Sequence, residues 1–127
     1  MTQLLLDTSV LIELIEQRLS ERIRDELVSP RTALHASMAS LWEIAIKYRL
    51  GKLKLMAPPS RLPELLESMG LALLVIEAAH VLAIIEPKPD TRDPFDRLLL
   101  AQCAVENLQL VTVDRRLASH PRAWQHG

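Results

Sequence analysis

Glycine is scarce, with three residues in 127, and neither GxGxxG nor GxxxxGK followed by Ser or Thr occurs. That argues against a dinucleotide-binding or P-loop protein, whose phosphate loops need glycine for close backbone approach. Cysteine is rarer still: Cys103 stands alone, so no intrachain disulfide can form, and its apolar helical setting reads as a core position in a reducing compartment. No Cys/His metal pattern and no GxSxG turn is present. Aromatic residues make up 3%, and none follows Trp42 closely enough to form a series, so Trp42 reads as packing against the core or a partner rather than binding a base. Neither charge sign dominates, 15 basic residues against 16 acidic, so any contact with nucleic acid must come from local patches. Long apolar runs are missing too. Leu71 to Ile76 is far too short to span a bilayer, and no basic region precedes an apolar stretch at the N-terminus, which makes a soluble cytoplasmic protein the expectation.

What remains is ordinary globular material, 49% apolar and 24% charged, long enough for one domain over residues 1–127 with its own core. Leu4–Leu6, Ala33–Ser37, Leu71–Ile76 and Leu108–Val113 read as strands, the third apolar throughout and therefore expected to be central. Helical spacing falls between them: Val10 to Ile15, residues 20–28, Met38 to Arg49, Pro63 to Met69, Glu77 to Ile85, and a helix opened by Asp93-Pro94. Gly51 closes the third of these as a left-handed cap. Strands alternating with helices predict a parallel sheet covered on both faces, a three-layer α/β/α sandwich. His35 and His80 read as packed or surface histidines without chemistry. The tail from His120 to Gly127 carries no readable signal.

Four acids stand at telling places in this scheme. Asp7 and Asp114 end strands, while Glu43 and Asp96 lie in first turns of helices. Each has a structural explanation. Asp7 can cap a helix, and Ser40-x-x-Glu43 matches a capping box. Asp93 is a natural N-cap before Pro94, which leaves Asp96 on a face shared with Leu99, Leu100 and Cys103, where a lone carboxylate is costly. In an open parallel sheet all four positions belong to one edge, the carboxyl ends of the strands, where ligands bind. Two carboxylates about 5 Å apart repel by roughly 3 kcal/mol at an effective dielectric of 20, so such a cluster calls for a cation or retained protons. Oxygen donors alone suit Mg²⁺ or Mn²⁺. Lys47, Arg49, Lys52 and Lys54 form the densest basic run, either a solvated face or a phosphate contact.

Four blocks in order, LLLDTSVLIEL, SLWEIAIKYRLGKL, DPFDRLLLAQ and LVTVD, resemble the PIN-domain family, specifically the VapC-type toxins of toxin–antitoxin operons, across nearly the whole chain. The resemblance implies a PIN-like sandwich, a divalent-metal-dependent endoribonuclease, inhibition by a cognate antitoxin and a homodimer. By motif it assigns Asp7, Glu43, Asp96 and Asp114 to the catalytic and metal-binding site, with Asp93 as a possible additional acid. A metal-activated water would attack an RNA phosphodiester in line. Thr8, Ser9 and Thr112 are placed to hydrogen-bond the carboxylates, and Lys47, Arg49, Lys52, Arg92 and Arg115 to hold the RNA backbone. Two positions depart from the family habit: Thr91 and Ser9 stand where relatives often carry histidine. The rival readings are a PIN-like module that binds RNA or antitoxin without cutting, and a phosphatase. The phosphatase is the weaker, because Ser9 occupies the place of the second aspartate that such an enzyme wants.

Overall fold

A computed structural model describes residues 1–125 of the chain. Four strands, β1 (Thr2–Leu6), β2 (Thr32–Ser37), β3 (Leu71–Leu74) and β4 (Gln109–Val111), form one parallel sheet in the order β3-β2-β1-β4. In register, Leu5 pairs with His35 on one side of β1 and with Leu110 on the other. Parallel pairing requires crossovers, and helices supply them: α1 (Thr8–Ile15), α2 (Glu21–Leu27), α3 (Met38–Arg49), α4 (Leu62–Ser68), α5 (Ala78–Leu82) and α6 (Pro94–Glu106). A short α7 (Arg115–Ala118) follows β4.

The three layers are visible in β1 itself. Leu4 and Leu6 enter one apolar cluster with Val10, Leu11, Leu14, Leu27, Leu62 and Leu66, whereas Leu5 enters the other with Leu99, Leu100, Cys103 and Leu117. Successive residues of a strand face opposite sides, so a strand buried on both faces must be apolar throughout. The run Leu4-Leu5-Leu6 is that strand.

The third strand corrects an expectation. Leu71–Leu74 lies at the sheet edge, not at its centre, and Val75, at 56% exposure, falls outside it. Its apolar run has another cause. Leu71 and Leu73 join the first cluster, against which α4 packs, while Leu74 meets the second, so this edge strand makes apolar contacts on both faces although only Leu71 is fully buried. The tail supplies a further edge: Leu110 N–H donates to Arg122 O and Trp124 N–H donates to Leu110 O, each at 2.8 Å. Residues 126 and 127 of that tail lie outside the described residues. Cys103 is fully buried, and burial pushes its thiol up to about 12, as expected of an inert core cysteine.

Order matters for what comes next. From β1 the chain steps to β2 and β3 on one side, then returns to place β4 on the other. The reversal falls between β1 and β4, the switch point at which the carboxyl ends of parallel strands leave a crevice. Leu5 anchors the strand beside that crevice. Leu5→Ala should destabilise the fold by about 3 kcal/mol, read as a lower urea midpoint with an unchanged m-value.

Candidate active site

Asp7 follows β1 directly, at the switch point. Val10 N–H donates to its Oδ1 at 2.8 Å, so it caps α1, and its own N–H donates to Val111 O at 3.0 Å, tying the end of β1 to β4. The residue is 4% exposed. Burial raises its carboxyl above the usual range; hydrogen bonds from Thr112 and the Val10 N–H work against this, and the nearby charges of Asp114 and Glu13 add to it. Asp114 caps α7 through a 2.8 Å bond from Arg116 N–H to Oδ1, and its own N–H donates to Thr112 Oγ1 at 3.0 Å. Thr112 thus joins the two aspartates across β1 and β4.

The DPFDR segment faces them from α6. Asp93 is its N-cap, Oδ1 accepting from Phe95 N–H at 2.8 Å and Asp96 N–H at 3.2 Å. Asp96 is pushed up to about 6, first by burial, then by the charge of Asp93, with smaller contributions from Glu43 and Asp7. The field at this one carboxyl therefore registers three of the other candidate acids. Thr91 moderates it. Only 1% exposed, Thr91 donates from Oγ1 to Asp96 Oδ2 at 3.3 Å, accepts from Asp93 N–H at 3.2 Å, and offers its carbonyl to Arg97 Nε at 2.8 Å. Where relatives often carry histidine, this hydroxyl orients the second aspartate. A hydroxyl residue two positions before a cap aspartate was the available signal.

Glu43 arrives from α3 by a route the sequence did not show. Ser37, the last residue of β2, is the N-cap of α3, its Oγ accepting from Ala39 N–H at 3.0 Å. The capping box at Ser40 and Glu43 is therefore not formed, because the helix already starts one turn earlier, and Glu43 lies beyond the first turn. Glu43 is 8% exposed, and Lys47 Nζ lies 2.7 Å from its Oε2. Lys47 is thus engaged with an acid of the cluster. Arg92 and Arg115 are exposed next to the rim acids Asp93 and Asp114, whereas Arg49 and Lys52 are exposed at or just beyond the far, C-terminal end of α3. Ser9 is exposed, and the buried Thr8 donates not to a carboxylate but to Ser40 Oγ at 2.9 Å. Beneath the rim, Ser37 Oγ donates to the fully buried Gln102 Oε1 at 2.6 Å. Gln102 hides in the sequence among the apolar residues of α6, and it pins that helix to α3.

The rim offers oxygen donors only, which fits a hard divalent cation, and its like charges are what such an ion would offset. Asp7 and Asp114 each commit Oδ1 to a helix N–H, and a carboxylate so bonded retains lone pairs for a second partner. The acids are nonetheless spread out. Among the described residues, the three possible ligands lying within 4.8 Å of one another are Glu77, His80 and Glu106. That group has a different character. Glu77 N–H donates to His80 Nδ1 at 3.0 Å, so Nδ1 is unprotonated and Nε2 carries the proton it donates to Glu106 Oε2, 2.7 Å away. An ion on Nε2 would demand an imidazolate. His80, read from the sequence as a packed or surface histidine, is buried and is a hydrogen-bonded joint between α5 and α6.

Fold and rim together define an α/β/α protein that gathers carboxylates at the switch point of a parallel sheet. The chain belongs to the PIN-domain family, whose model matches residues 4–123. Its fold is similar to that of a chain in VapBC2 from Rickettsia felis bound to a promoter DNA fragment, at TM-score 0.66 and 19% identity over 96% of both chains. It is likewise similar to a chain of a toxin–antitoxin complex from Klebsiella pneumoniae, at TM-score 0.61 and 17% identity over 95% of both. No curated protein matches the chain in sequence. No helix among the described residues is long and apolar enough to cross a membrane.

Both raised aspartates bear on stability. A carboxyl raised in the folded state favours folding at low pH, and that contribution is lost as pH rises through the raised value. For Asp96 the loss is centred near 6. Without divalent ions, the melting temperature of Asp96→Asn should therefore gain on that of the wild type between pH 4 and pH 8. A constant difference across that range would mean that the Asp96 carboxyl is not raised in the folded state.

Proposed function

We propose that the chain, as a single domain over residues 1–127, is the toxin of a toxin–antitoxin pair: a VapC-type, Mg²⁺- or Mn²⁺-dependent endoribonuclease acting in the cytoplasm. The observation that carries this reading is geometric: Asp7 and Asp114 meet through Thr112 at the switch point, and Asp96, held by Thr91, faces them from α6 near Glu43. Acids buried at a switch point work against the fold by lost solvation and by repulsion, so stability alone does not account for them. Membership of the PIN family and the fold shared with chains of toxin–antitoxin complexes support it.

In this reading Asp7, Asp96 and Asp114 hold the ion and Glu43 completes the set, while Asp93 remains chiefly the cap that aims Asp96. The bound ion would supply Lewis acidity at a phosphate oxygen and a water acidified for attack. The chain's own work is to orient and to neutralise. Thr112 fixes Asp7 against Asp114, and Thr91 fixes Asp96. Lys47 pairs with Glu43, the carboxylate placed to take a proton from an attacking water. Arg49, Lys52, Arg92 and Arg115 hold the RNA backbone. A cognate antitoxin and a second copy of the chain are the protein partners in this reading. A PIN-like module that binds without cutting is the alternative, and it would leave the repulsion at Asp96 without use.

The test is cleavage of defined RNA with Mg²⁺ or Mn²⁺ and an EDTA control. Asp7→Asn and Asp96→Asn should each lower kcat/KM by at least about 100-fold, the scale of losing a principal charge at the reacting centre, with circular dichroism unchanged. Metal-dependent cutting that survives both substitutions would sink the assignment. Mg²⁺ should also raise the melting temperature more at pH 8 than at pH 5, since at pH 5 protons already occupy part of the site.

A further inference from the structure

The chain has four aromatic side chains, two Trp, one Tyr and one Phe, and two of them meet at the acidic rim. Trp42 and Phe95, 53 positions apart in sequence, form an edge-to-face pair with ring centroids 5.5 Å apart and planes at 65°. The pair bridges α3 and α6, and each ring sits one residue before a candidate acid, Trp42 before Glu43 and Phe95 before Asp96. Packing does not use up the indole. Trp42 is 59% exposed, an expensive placement for a large apolar ring unless something covers it in use. Phe95 holds the indole edge-on and so limits its rotation. Seven residues and about 10 Å further along α3, on the same helical face, stands the exposed Arg49. An open aromatic at the lip of a carboxylate cluster, with a cation two turns away on the same face, is an arrangement that can stack one base and meet a phosphate further along the strand.

We propose that Trp42, braced by Phe95, is a specificity-determining residue: a stacking platform for the unpaired base next to the scissile phosphate. This rests on the nuclease reading for which bond is cut, but the stacking itself needs no cleavage to be observed. A duplex keeps its bases stacked on one another and offers none to the indole, which is how one exposed ring selects for single strands.

The first measurement is binding in EDTA, where nothing is cut, to an unstructured RNA of about ten nucleotides, a length within the usual single-strand site size. RNA should quench the fluorescence of the wild type but not of Trp42→Phe. Trp42→Ala should weaken binding about tenfold, the scale of one lost stack, and Trp42→Phe should recover most of it. In the cleavage assay the same loss should appear in KM, with kcat little changed. An RNA with one abasic nucleotide at the contacted position should bind the wild type as weakly as intact RNA binds Trp42→Ala, and the two defects should not add. A chain that cuts no RNA but shows this quenching and non-additivity would lose the nuclease reading and keep the platform. Three results overturn the platform: no quenching attributable to Trp42, duplex bound as tightly as single strand by the wild type, or a Trp42→Ala variant that changes from dimer to monomer on size exclusion. The last would make the ring a contact between copies.

Discussion

Carboxylates half-buried or buried at one sheet edge are the constraint on which this structure turns. Burial is the first cause of the raised carboxyls of Asp7 and Asp96, and the charges of neighbouring acids add to it. A helix N-terminus returns about 1 kcal/mol to an acid placed there, and capping alone does not balance both. The chain spreads the load in three ways. Asp7, Asp93 and Asp114 each cap a helix. Glu43, which caps nothing, is paired with Lys47. Asp96 has neither device and holds its proton instead, to about pH 6.

That economy depends on rigid positioning, and the positioning is polar. Thr8 bonds Ser40, joining α1 to α3, and Ser37 bonds Gln102, joining α3 to α6. All four side chains are buried. Buried hydroxyls and amides are expensive without partners, so each pair fixes the relative position of two helices that carry candidate acids, where apolar contacts alone would tolerate sliding. The acids can then be held against one another because the helices beneath them cannot relax apart.

Much of this was legible in the chain, and the reasons are local. A strand buried on both faces writes itself as Leu4-Leu5-Leu6, and the pairing of Asp93 with Pro94 announces α6, since both signals depend on neighbours in sequence. What escaped depends on neighbours in space. The edge position of β3 was invisible because its leucines still pack on both sides, Leu71 and Leu73 toward α4 and Leu74 toward the second cluster. The run therefore reads as apolar although the strand is only partly buried. Glu43 was placed in a first turn because Ser40 mimics a cap, when Ser37 had already started the helix at the end of β2. Thr91 looked like a missing histidine, and only its burial and its bond to Asp96 reveal its use. Trp42 had no aromatic neighbour in sequence, yet it has Phe95 across the helix interface.

Capping and chemistry are alternative explanations of each acid in the sequence, and the rim shows that they need not compete. A carboxylate has two oxygens and about four lone-pair directions. At Asp7 and Asp114 the helix N–H takes Oδ1, and that bond fixes the side-chain torsions and with them the direction of the remaining oxygen. The helix start thus acts as the jig for the acid, and at Asp7 the same bond opposes, without overcoming, the rise that burial causes. Asp96 is the informative exception. It is held by a neutral hydroxyl and capped by nothing, so it is the acid whose proton is most easily exchanged for another positive charge.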